Sequence, residues 1–508
     1  MKTTGRTVIY ANYTEEELLS GTLEEQQLKV LDILANSIDI HNNNRTESIY
    51  LQNYLYGDQD IKNKIKLTRT DINNKDVENW AWAFMDWKKA FLLGKPIQYA
   101  PLDNVANKEI STLNKYNEFE DKDQKDQELY EDLYTVGRAF RYVSATPITE
   151  DDETPYELIN FDVLDTEVVY SSGVKHEQLL SYVVTPQEYI VQNINPKTGK
   201  PEPQIKQYNE YTVYTRNYKF IVNDKEEKLT VVGSDPMANK IHVITEYYLN
   251  RKRMGLLEIA KDIFNDINYI ESLDKDDIES FVNSIMVFTN AAVDEESMNG
   301  IKQFGAVSIK STDQKKASVE LLQSRLKSID SQIYYLRKLS ALHSILSVPE
   351  ATSSGEVSNA ETGKAMQIGQ GFTSSSIRVE NEEKCFKRGD RTVLKNVLKI
   401  CRNINDSGIT KLKVSDCEIK FSRDLSDNLL VKTQALNNLM TANIPPEIAN
   451  AVINLFSDPV AVTKLQEEYI KQKQEIQQQI QKTGMTNDEI NKQNNDLRKT
   501  QENQNQEQ

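Results

Sequence analysis

The chain reads as a mainly helical α+β protein, and three observations carry that reading. Helical spacing dominates the first hundred residues. Strand signals punctuated by Asn-Pro, Ser-Gly and Asn-Asp pairs run from Ile97 to about Tyr248. After them come two long charged helical stretches around a short strand-rich insert, then a small-residue loop and a long basic helix.

Taken in order, residues 15–36 place Leu18, Leu19, Leu23, Leu28, Leu31 and Leu34 at irregular helical spacing, and a second segment over 49–56 ends at Gly57-Asp58. Residues 77–93 put Val77, Trp80, Ala81, Phe84, Trp87 and Phe91 on one stripe, with Gly94 and Pro96 as stop signals. All three tryptophans, Trp80, Trp82 and Trp87, fall there, as expected of a core helix more than of a ligand platform. Strands are predicted at 137–143, 167–170, 180–184, 211–214 and 219–222.

Residues 256–282 form an acidic helix carrying Glu258, Asp262, Asp266, Glu271, Asp274, Asp276, Asp277 and Glu279 against Lys261 and Lys275. Its return partner, predicted over 318–346, carries Arg325, Lys327, Arg337 and Lys338 against Glu320 and Asp330. A hairpin with one acidic and one basic leg can pair side by side with copies of itself, and a head-to-tail contact of that kind closes into a ring. The insert between the legs, with strands expected at 284–288 and 306–310, is too small for a core of its own and needs neighbours.

Residues 347–363 are rich in Ser, Thr, Gly, Ala and Asn, and a loop this long inside a helical run is a functional segment or a disordered one. The helix expected over 360–403 has an apolar stripe of Phe386, Val393, Leu394, Val397, Leu398 and Cys401, and a basic stripe of Lys384, Arg388, Arg391, Lys395, Lys399 and Arg402. That basic stripe suits either a nucleic-acid backbone or acidic residues of another subunit, and the acidity of the whole chain favours the subunit. Strands near 411–421 precede amphipathic helices expected at 427–440, 446–456 and 459–480. The polar residues from about Lys471 onward are too poor in apolar side chains to offset chain entropy.

The net charge of −16 argues against a protein that coats nucleic acid by attraction alone. It leaves room for a channel in which DNA must slide. Cys385, Cys401 and Cys417 match neither a zinc spacing nor a disulfide framework, so inert reduced thiols and a cytoplasmic site of folding are expected. The first residues have no apolar core of signal-peptide length, and no stretch is apolar enough to span a membrane. Gly363-Lys364 lacks the rest of a nucleotide-binding loop. His41, His176, His242 and His343 are too scattered for a metal site, and no Gly-x-Ser-x-Gly pattern occurs. Asp276 and Asp277 diverge around a helix, which suits an ion-paired face better than magnesium. No enzyme, cofactor or metal is expected.

Gly94-Lys95-Pro96-Ile97-Gln98-Tyr99 after an aromatic helix, Tyr134-Thr135-Val136-Gly137-Arg138-Ala139 before a strand, and Thr362-Gly363-Lys364-Ala365-Met366 opening the long helix, taken with the element order, resemble the portal proteins of tailed bacteriophages. The likeness is strongest to those of long-tailed phages of Gram-positive hosts and covers roughly residues 45–470. It implies a ring, usually of twelve copies, at one capsid vertex, with regions called wing, stem, clip and crown.

Carried onto this sequence, 1–44 becomes a helical arm, 45–255 the wing, 256–282 and 318–346 the stem helices, and 283–317 the clip. Residues 347–363 become the tunnel loop, 364–425 the wing's long helix and strand, and 426–480 the crown, while 481–508, expected to be a disordered tail from its composition, has no firm counterpart in the family. The resemblance implies passage of double-stranded DNA past the loop residues Thr352, Ser353, Ser354, Gly355, Glu356, Val357, Ser358 and Asn359.

Lumen or subunit contacts are expected from Lys310, Lys315, Lys316, Arg325, Lys327, Arg337 and Lys338. Inter-subunit contacts are expected from Asp262, Asp266, Asp274 and Asp277. The implied partners are the terminase large subunit, the major capsid and scaffolding proteins and a head-completion adaptor, with the chain in the virion and, during assembly, in the host cytoplasm. The rival is a ring- or filament-forming connector or scaffold without DNA passage. A second rival is a metal-dependent nuclease built on the acidic cluster.

Overall fold

The computed structural model describes residues 4–67, 70–102, 107–149, 153–194, 201–225, 228–282, 285–289, 318–322, 328–350, 372–404, 407–422, 429–442, 444, 449–450, 462, 466, 469 and 471. It divides into two units, 1–423 and 424–508.

The first unit opens with β1 (Ile9–Ala11), α1 (Glu15–Leu19) and α2 (Leu23–Leu55). Both helices begin with capping boxes, Thr14 with Glu17 and Thr22 with Glu25. The sequence predicts two segments and an arm ending at residue 44, but α2 runs unbroken through that boundary and β1 joins the main sheet beside β5 (Thr166–Ser171). The polar stretch around His41 and Asn44 stays helical because tertiary partners accept it. The Asn44 amide bonds the backbone of Thr7 on both sides at 2.9 Å and reaches the Glu167 carboxylate.

Two sheets follow. The larger has the order β1-β5-β6-β7-β8-β9, where β6 is Gln178–Ile194, β7 Pro201–Tyr214, β8 Tyr218–Asn223 and β9 Thr230–Pro236; only β1 runs parallel to its neighbour. Ile9, Leu18, Val30, Ile33 and Leu34 pack on its Val169, Leu180, Val213 and Phe220 as a small core.

The smaller sheet pairs β3 (Arg138–Ala145) with β4 (Tyr156–Phe161) and β10 (Ile244–Tyr248). Its core is shared with α3 (Trp80–Leu93), α4 (Asn107–Phe119), α5 (Lys122–Thr135), α6 (Leu256–Val282) and later helices. Neither α4 nor α5 is predicted by the strand-dominated reading of that stretch. In α3 the buried face is Ala81, Phe84, Met85, Lys88, Leu92 and Leu93, so the predicted stripe is rotated and Trp82 stays exposed.

Beyond α6, β11 (Ile285–Thr289) pairs antiparallel with β12 (Ser318–Leu322). The helix predicted from residue 318 therefore begins later, as α7 (Ser328–Leu346). Ladder pairing of 318–322 with 285–289 outweighs the helical spacing that continued through it. The strand expected at 306–310 lies outside the described residues.

α8 (Phe372–Asn403) packs its stripe of Phe386, Val393, Leu394, Val397, Leu398 and Cys401 into the main core. β13 (Cys417–Lys420) pairs with β2 (Gln98–Pro101). In the second unit α9 (Leu429–Thr441) agrees with the helix expected at 427–440, while most of 446–480 lies outside the described residues.

Candidate functional site

The hairpin of α6 and α7 is held by side chains one turn after another. Ser331 donates to Asp274 at 2.9 Å and Lys338 pairs with Asp266 at 2.6 Å, while between them the Tyr335 hydroxyl reaches outside the hairpin and donates to Glu78 at 2.7 Å. Leu342 and Leu346 complete the buried face of α7. Opposite charge on the two legs is therefore used within the chain at Asp266 and Lys338, where the sequence analysis expects Asp266 between copies and Lys338 in the lumen or between copies.

A second partner of α6 was not foreseen. Residues 58–67 and 70–79, with one 3-10 turn at Asp60–Asn63, run out along the helix and back as a strap. Gln59 and the backbone N–H of Glu78 meet Asn268, Asp60 meets Asn265, and the backbone N–H of Asp76 donates to Ser272. At the far end Asp276, which is buried, takes Lys64 at 2.9 Å, Lys66 at 3.1 Å and the backbone N–H of Asn74 at 2.7 Å. Burial opposes ionisation of Asp276, yet these donors hold its carboxyl down to about 2. Asp277 shifts the other way, raised by burial and by Asp274. Both oxygens of Asp276 are thus occupied by donors, and among the described residues no group of His, Cys, Asp or Glu is placed to hold a metal ion.

The base of α6 is locked by the N-terminal residues. The Arg6 guanidinium, fully buried, reaches Glu258 and Glu47, each at 3.1 Å, and the Gly5 N–H donates to Glu258 at 2.8 Å. Its neighbour Gly137 has φ +87°, and a Cβ there would collide with the backbone at Arg253 and Met254, so only glycine fits the turn before β3.

On α8 the basic stripe is solvent-facing but partly tethered. Arg388 lies 3.5 Å from the Tyr248 ring centre and donates to the Tyr248 carbonyl at 2.8 Å; Lys399 donates to the Lys240 carbonyl at 2.9 Å. Burial, with Arg216, Lys395 and Lys240 nearby, lowers the Lys399 ammonium below its ordinary range. Arg391 and Lys395 project outward, exposed.

The first root of the segment expected to be a tunnel loop is clamped to α8. Buried Lys88 donates to the Leu346 carbonyl at 3.0 Å, ending α7, and pairs at 2.6 Å with Glu382 on α8, which also accepts from Tyr130. Arg378 reaches the Ser344 carbonyl and Ser347, and Val348 is buried in the core. Thr352, Ser353, Ser354, Gly355, Glu356, Val357, Ser358 and Asn359 themselves, like Lys310, Lys315, Lys316, Arg325 and Lys327, lie outside the described residues. Asp262 and Arg337 are exposed, as subunit contacts must be in a single chain.

The thiols behave as expected of inert side chains: burial pushes Cys401 up to about 12 and Cys417 up to about 11. Among the described residues no helix is long and apolar enough to cross a membrane.

No curated protein matches the chain. A protein family described as "Phage portal protein, SPP1 Gp6-like" matches residues 34–483, which take in the strap, both legs of the hairpin, the clamped first root of the loop and α8. With the match covering most of its length, the chain belongs to the SPP1 Gp6-like phage portal proteins.

Proposed function

We propose that twelve copies of this chain form a ring at one vertex of the capsid, with the α6–α7 hairpins side by side as the channel wall. A phage portal protein is the head-tail connector for DNA packaging, and the family match across both legs of the hairpin is the observation that carries this reading. At 1.5 Å per residue, the 27 residues of α6 span about 40 Å, enough for a wall between shell and interior.

The conduit is passive. A separate terminase hydrolyses ATP and docks at the insert 283–317, which head-completion proteins later occupy. The loop within 347–363 contacts double-stranded DNA through small, mostly uncharged side chains, because tight phosphate binding would cost release at every step. Clamping of its first root by Lys88, Glu382 and Arg378 supports that role, since it fixes where the chain leaves the core after α7. Capsid and scaffolding proteins meet the outer surface during assembly in the host cytoplasm.

Negative-stain images of the purified chain test the ring. Annular particles with an open bore are the expected result, and single molecules at every concentration and buffer would overturn it. Deleting residues 353–359 leaves rings intact and impairs DNA packaging or retention; heads filled normally by that variant would remove the loop from the mechanism.

A further inference from the structure

Residues 64–67 reverse the usual disposition of an exposed extended segment. Lys64 and Lys66 turn inward onto Asp276, while Ile65 and Leu67 are 84% and 93% exposed. Successive side chains of an extended chain point to opposite sides, so anchoring the two lysines forces the two apolar residues out. Tyr269 of α6, with Lys64 5.7 Å from its ring centre, is 51% exposed beside them. Asp262, seven residues earlier and so on the same helical face, is also exposed. These residues make one flank of the hairpin.

The other flank belongs to α7. Ser331, Tyr335, Lys338 and Leu342 define its side toward α6. Ile333 and Leu336, 44% and 56% exposed, lie away from that side, with exposed Arg337 next to them.

We propose that the two flanks are the halves of one contact between adjacent copies. Ile65 and Leu67 of one chain pack on Ile333 and Leu336 of the next, and Asp262 meets that copy's Arg337. A ring needs two different, complementary patches on every copy; these are apolar on both sides and carry opposite charges. The inference rests on the ring reading and changes its chemistry. Asp266 and Asp276 already have lysines of their own chain, so apolar burial, with one ion pair at its edge, carries the contact.

The test compares the full chain with I65S/L67S and I333S/L336S by sedimentation over a dilution series at about 0.15 M and about 1 M salt, with thermal melts as a check on folding. Each serine pair raises the concentration for half-assembly by about a hundredfold and leaves the melt unchanged, because the replaced side chains are exposed in the single chain. Wild-type rings persist at both salt levels.

Assembly of either variant like the wild type overturns the contact while the ring stands. Dissolution of wild-type rings at high salt overturns its apolar basis. Absence of wild-type rings throughout sinks the ring reading itself.

Discussion

Arg141 carries its charge with no exposure to water. Its guanidinium meets Asp126 at 2.5 Å, Lys122 bridges Asp126 and Asp390 at 2.6 and 3.0 Å, and the Tyr247 hydroxyl donates to Asp390 at 2.6 Å. Removing one partner leaves a buried charge uncompensated, so Asp390→Ala should cost about 3–5 kcal/mol, read as a lowered denaturation midpoint.

Glu167 makes a pH-dependent prediction. Burial alone would raise its carboxyl, but Arg138 at 2.6 Å and His41 hold it down to about 2, below the ordinary value of about 4.3. A depressed carboxylate contributes stability that is complete above the unfolded value and lost as pH falls through the folded one. Stability should therefore drop by about 3 kcal/mol from this group between about pH 5 and pH 2, and Glu167→Gln should lack that component in denaturant titrations. The strand signal at 137–143 is legible in the sequence, but nothing local tells that Arg138 and Arg141 point into the core. Their counter-ions sit at 167, 126 and 390, and only the packed fold brings them together.

At the scale of elements, hydrophobic spacing finds α6, α8 and several strands with small errors, because each buries a periodic face. It fails where pairing is set by a distant segment. Residues 318–322 become a strand because 285–289 lies opposite, and the strap over 58–79 has no periodicity of its own. The strap depends on Asp276. Asp276→Ala should free Lys66 and leave Lys64 only the Asn74 carbonyl, and trypsin should then cut there faster while the melt of the remaining fold moves little. Equal cleavage of both proteins would show that the other strap contacts suffice. Thr22→Ala removes the cap of α2 and should cost about 1 kcal/mol.

Over the whole molecule, oppositely charged legs suggest a ring held by ion pairs. In the folded chain Asp266 is paired with Lys338, and Asp276 with Lys64 and Lys66, and exposed apolar side chains appear on both flanks. One ion pair remains testable between copies. Arg337→Glu or Asp262→Lys alone should weaken assembly several-fold, and the double reversal should restore it; additive losses in the double variant would separate the two residues.

The residue order alone determined the mixed helical and sheet character, the long charged hairpin, the basic stripe and the likeness to portal proteins, since these depend on composition and spacing along the chain. Which lysine neutralises which carboxylate, and which apolar side chains are left facing outward, only the tertiary structure decided. Charge pairing and burial depend on distances through space, and segments hundreds of residues apart, such as Arg6 with Glu258 or Lys64 with Asp276, settle them.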